Sequence, residues 1–125
     1  MATKYRTYKI RAFFNASHSL ATTTVKRDKK THNHTWEVVC EVHLNDPEKA
    51  DADQANRLIS NTLNTLSGHK LNHLEPFRKL EPTLENVTEY LADELDVDLA
   101  AKKVQLLRIE VGISPLRYYC ITMMR

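Results

Sequence analysis

The chain has 125 residues, 27% of them charged and 42% hydrophobic, with 18 basic against 16 acidic side chains and a formal charge of +2. That length suits one domain over residues 1–125, and the charge balance excludes a disordered chain. No basic stripe with interleaved aromatics points to nucleic acid and no apolar run reaches membrane-spanning length, so neither partner is expected.

Residues from about Tyr5 to Ser17 alternate and are rich in aromatic and β-branched types, which predicts a long strand. The polar stretch Thr22 to Lys30 reads as a loop. Its basic cluster, Lys26, Arg27, Lys29 and Lys30, is either a solvated loop face or a groove for a polyphosphate. A second strand begins near Thr31, with Trp36, Val38, Cys40, Val42 and Leu44 on a buried face and Glu37, Val39, Glu41 and His43 on a wet one. Asn45, Asp46 and Pro47 end it.

From Asp51 to Leu66 the apolar residues follow helical spacing, with Asp51 or Asp53 as the cap. Gly68 is expected to stop that helix in the left-handed conformation. A second helix starts at Pro82-Thr83, with Thr83 as N-cap, Glu85 in the first turn, and Leu84, Val87, Tyr90, Leu91 and Leu95 as its apolar stripe. Two more strands, about Lys103 to Ile113 and Arg117 to Met124, are joined through Ser114-Pro115-Leu116. The order β-β-α-α-β-β predicts an α+β fold: an antiparallel sheet with both helices on one face. The edges and second face of so small a sheet favour a homo-oligomer.

The N-terminus lacks the apolar core of a signal peptide. Cys40 and Cys120 lie in strand-like apolar runs without CxxC spacing and read as buried thiols of a reducing compartment, so the expected location is cytoplasmic.

The chemistry-bearing residues are the histidines. His32 and His34 are two apart on a strand, so their side chains leave the same face roughly 6.5–7 Å apart. His18 closes the preceding strand, and a hairpin-like return brings it beside them. Three neutral imidazoles with an open fourth position suit a catalytic zinc, although iron or nickel could take the same ligands. On spacing alone, the same residues could be an exposed histidine-rich strand start. His69 and His73 lie in the loop beside Gly68, and His43 is expected to face solvent.

Read together, the surrounding residues say more. Phe14-Asn15-Ala16-Ser17-His18 resembles the FxAxH motif of the 6-pyruvoyl tetrahydropterin synthase and 6-carboxytetrahydropterin synthase family. His32-Asn33-His34-Thr35-Trp36 is similar to its HGHNY strand. Leu71-Asn72 with Pro82-Thr83-Leu84-Glu85-Asn86 resembles its LN…PTxEN segment, and Ser114 to Tyr119 resembles its closing ETPTRxY. The motifs run in family order over almost the whole chain. The resemblance implies the tunnel fold, assembled as a trimer or a pair of trimers, with zinc held by His18, His32 and His34. It further implies a lyase acting on 7,8-dihydroneopterin triphosphate or a related pterin, with sites between subunits.

Four positions depart from the family pattern. Asp28 stands where the family has its catalytic cysteine, and a carboxylate there could act as base. The family's Asp-His pair maps to Ser67 and Gly68, with His69 reaching the histidine's place only across a one-residue gap. Ile113 stands where a glutamate anchors the pterin; Glu110 is expected on the opposite strand face. The expected roles are proton transfer for Asp28 and His69, substrate binding for Thr83 and Glu85, and phosphate contact for the basic loop. The alternatives are a relative that takes another small ligand and a non-catalytic binding or assembly protein.

Overall fold

The computed structural model describes residues 1–21 and 30–125. Asp28, with Lys26, Arg27 and Lys29 of the basic cluster, lies outside the described residues.

The sheet has four antiparallel strands in the order β1 (Tyr8–His18), β2 (His32–Leu44), β3 (Val104–Ser114), β4 (Arg117–Thr122). Between β2 and β3 the chain forms α1 (Ala52–Asn64), two short 3₁₀ turns (Leu71–His73 and Glu75–Phe77) and α2 (Leu84–Ala100). This is the α+β order read from the sequence. Alternation decides the layers: Ala12, Phe14 and Ala16 of β1 and Trp36, Val38, Cys40 and Val42 of β2 are buried on one face. Ala55, Ile59 and Leu63 of α1 and Val87, Leu91, Leu95 and Leu99 of α2 are buried in the same core. Asp51 caps α1 by accepting the Gln54 N–H at 2.6 Å, and Thr83 caps α2 by accepting the Asn86 N–H at 3.0 Å.

Several local expectations are corrected. The first strand begins at Tyr8 rather than Tyr5, and the last ends at Thr122. α1 ends at Asn64, before Gly68; with φ +80° that glycine turns the chain so that its N–H meets the Asn15 carbonyl at 2.7 Å. Cys40 is buried, and burial pushes its thiol up to about 12, but Cys120 is exposed. Cys120 pairs with Glu110 across β3–β4, on the sheet face away from the helices. His43 does not simply face solvent: it stacks on Tyr5 at 4.3 Å, and its Nδ1–H donates to the Arg6 carbonyl at 2.8 Å.

The helix-free face carries a set of paired polar side chains beside the exposed ring of Phe13. Arg11 meets Glu37 at 3.0 Å, the Tyr118 hydroxyl donates to Glu37 at 2.9 Å, and Arg108 meets Glu110 at 3.0 Å. The hydrogen bond to Glu37 pushes the Tyr118 phenol above its ordinary value. Its ring lies over Gly112, where an added Cβ would stand 2.7 Å from it, so only glycine fits there. Beside this contact the β3–β4 register shifts between Gly112 and Ser114, and the extra residue is Ile113. Among the described residues no helix is long and apolar enough to cross a membrane.

Candidate metal centre and ligand cavity

The β1–β2 hairpin brings the three histidines together. His18 and His32 are directly paired at the end of the ladder, and His34 lies opposite Ala16. All three side chains leave the helix-facing side, in line with Phe14 and Trp36. The His18 and His34 rings are 5.0 Å apart between centroids, and those of His32 and His34 are 6.0 Å apart. Trp36 forms the floor, with its ring 5.1 Å from His18 and 6.2 Å from His34 and its indole N–H bonded to the Ala16 carbonyl at 3.1 Å.

His18 is the most constrained of the three. It is buried, and its Nδ1 lies 2.8 Å from the Pro82 carbonyl. A carbonyl only accepts, so Nδ1 carries the hydrogen and Nε2 the lone pair, the arrangement found where a histidine's second nitrogen orients it on a metal. Pro82 precedes the Thr83 cap, so the start of α2 and the end of β1 are fixed to each other. Asn86 completes the link by donating from its side chain to the Glu81 carbonyl at 2.9 Å.

The donor set fits zinc in chemistry and nearly in geometry. Ligation at about 2.0–2.1 Å in tetrahedral array puts imidazole centroids roughly 5 Å apart. The His18–His34 spacing meets this, and His32 and His34 need to close by roughly 1 Å. Among the described residues no three ligating side chains already stand in coordinating geometry.

Burial first, and then the charges His18 and His32 would carry, hold His34 below its ordinary 6.5. The folded chain therefore binds fewer protons there than the unfolded chain does, and the metal-free protein should lose stability as the pH falls below 6.5. Urea midpoints at about pH 7.5 and about pH 5.5 check this. The midpoint is expected to fall at the lower pH, and to fall less in His34→Gln; an equal fall in both proteins would contradict the assignment.

A cavity of about 630 Å³ opens beside the histidines, a volume that suits a small molecule. His18 and His34 line it with Thr83, Glu85, Ile113 and Arg117. Five of the residues singled out in the sequence are thus gathered around one cavity, with His32 adjoining. His69 is not. It is exposed, its carbonyl accepts the Ser17 N–H at 3.0 Å along the open edge of β1, and it does not line the cavity. Ile113 does line it, whereas Glu110 is on the opposite face with Arg108. Sequence reasoning gave no role to the Pro82 carbonyl, nor to Arg117 and Tyr119, which it met only within the closing motif. The carbonyl leaves no side-chain signature, but strand alternation from Tyr119, paired with buried Val111, would have put that tyrosine on the cavity side.

A sequence model of the 6-pyruvoyl tetrahydropterin synthase family matches residues 7–122. The chain belongs to that family. No curated protein sequence matches it. Among solved structures it is similar to the Caenorhabditis elegans 6-pyruvoyl tetrahydropterin synthase, with TM-score 0.76 and 18% identity over 95% of this chain and 96% of that one. The Plasmodium falciparum synthase gives TM-score 0.65 and 15% identity, covering 92% and 96% of the two chains. The Plasmodium vivax synthase gives 0.66 and 12%, covering 93% and 97%. At these identities the likeness is one of fold. Family membership points to pterin-related lyase chemistry.

Proposed function

We propose that the protein is a zinc-dependent lyase acting on the hydroxylated side chain of 7,8-dihydroneopterin triphosphate or a related pterin. The observation that carries this reading is the cluster of His18, His32 and His34 beside a ligand-sized cavity, with the His18 tautomer set by Pro82. Bound zinc supplies Lewis-acid polarisation of a hydroxyl or carbonyl oxygen, which acidifies neighbouring C–H bonds.

The chain's own groups do the rest. His18 ligates through Nε2, and a lowered pKa keeps His34 neutral and ready to ligate near pH 7. Thr83 and Glu85 offer a hydroxyl and a carboxylate to a polar ligand, and Arg117 offers a cation to an anionic group. Asp28 and His69 are the proposed proton carriers. The exposed position of His69 on the β1 edge suits service to a site shared with a neighbouring subunit in a homotrimer or hexamer. The buried and exposed free thiols suit a cytoplasmic setting.

Ile113 favours a second reading, in which the same metal and cavity serve another small ligand. Isoleucine can accept no hydrogen bond from a pterin's amino and ring N–H groups. Turnover separates the two readings. The zinc-loaded protein is expected to convert 7,8-dihydroneopterin triphosphate in a chromatographic assay, with activity removed by a chelator and restored by zinc. No conversion by the assembled, zinc-loaded protein would overturn the lyase assignment for this substrate.

A further inference from the structure

The end of a strand is where a ladder frays, and His18 is the last residue of β1. The ring is held from one side by the Pro82 carbonyl. The backbone immediately after it is held from the other side by a second, independent contact. Asn72 accepts the Ser19 N–H through Oδ1 at 3.0 Å and donates from Nδ2 to the Ser19 carbonyl at 2.9 Å. One planar carboxamide thus closes both backbone groups of the residue next to the ligand. Asparagine can do this because it carries a donor and an acceptor side by side; aspartate lacks the donor and alanine both.

The clasp has a rigid base. Asn72 is in the first 3₁₀ turn, directly after Leu71, which is fully buried in the core. Just upstream, Gly68 and His69 pair with Asn15 and Ser17, so this segment runs along the β1 edge before the clasp closes. A line of contacts therefore leads from the core through Leu71 and Asn72 to Ser19, and so to His18.

We infer that Asn72 is a positioning residue for the metal centre, fixing the end of β1 so that the His18 ring is presented to the ion. This rests on the reading of His18 as a metal ligand. Loss of a group that orients a ligand typically costs about 10–100-fold in metal affinity. A residue that acted only on general stability would show the same cost whether or not His18 were present.

The test is a double-mutant cycle read by zinc competition against a chromogenic chelator, with Co(II) absorption as a report on site geometry. Asn72→Ala is expected to weaken zinc binding by about 10–100-fold and to change the Co(II) spectrum. Asn72→Asp, which keeps the acceptor and loses the donor, should weaken it in the same direction and carries the test if the alanine variant fails to fold. In a His18→Ala background, either change should alter the remaining affinity by less than about twofold. Unchanged affinity in both single variants, or an equal loss with and without His18, would overturn the inference while leaving the three-histidine site standing. Failure of the unaltered protein to bind zinc would overturn the site reading and this inference with it.

Discussion

Replacing Trp36 with alanine is expected to destabilise the fold by about 3–5 kcal/mol, the usual cost of removing a large aromatic from a core. Trp36 is fully buried, stacks with Phe14 at a centroid distance of 5.4 Å, and donates its indole N–H to the Ala16 carbonyl. The substitution leaves a cavity and removes a buried hydrogen bond, so both costs add. A domain of this size has about 5–15 kcal/mol in all, so the variant should stand near the edge of folding. Denaturant titration at one fixed protein concentration measures the effect. Trp36→Phe refills much of the volume and should lose less. A loss below about 1 kcal/mol for Trp36→Ala would show that the tryptophan is not the floor on which the β1–β2 hairpin and its histidines rest.

The second large effect is on the metal. His34→Ala should lower zinc affinity well beyond the roughly 10–100-fold that loss of an orienting contact costs, because it removes a proposed ligand rather than a support. His34 has ring contacts to both His18 and His32, so its removal takes away the member of the cluster that touches both of the others. His43 provides the control. It belongs to the same strand but lies nine residues on, roughly 30 Å along β2 at strand spacing, stacked on Tyr5. His43→Ala should leave zinc affinity unchanged. Equal losses from the two substitutions would mean that zinc binds non-specifically to histidines.

Much of this architecture is legible because it depends on side-chain periodicity. The alternation of Trp36, Val38, Cys40 and Val42 fixes which face of β2 is buried, and that same alternation, continued backwards, puts His34 and His32 on the face of Trp36. Asp51 and Thr83 are readable as caps because a short acceptor before an apolar-periodic run has few other uses. The exposure of Cys120 is not legible because Tyr119-Cys120-Ile121 offers no polar contrast to mark inside from outside, and β4 is an edge strand with a half-exposed face. Gly68 carries the left-handed φ expected of a helix terminator, but its position is set by docking to Asn15, a contact between residues far apart in sequence.

The supporting parts of the site were the least legible. The Pro82 carbonyl and the Ser19 backbone are main-chain atoms, and only the fold decides which side chain meets them. The register shift that presents Ile113 depends on how the ring of Tyr118 covers Gly112, again a long-range fit. What the sequence conveyed was which histidines come together; how they are held came from the connection between the helices.

The central claim is that His18, His32 and His34 hold one ion, and metal analysis tests it most directly. After zinc loading and exhaustive removal of free metal, the unaltered protein is expected to retain one zinc per chain, and His34→Ala is expected to retain almost none. Zinc absent from the unaltered protein, or retained undiminished by His34→Ala, would contradict the account.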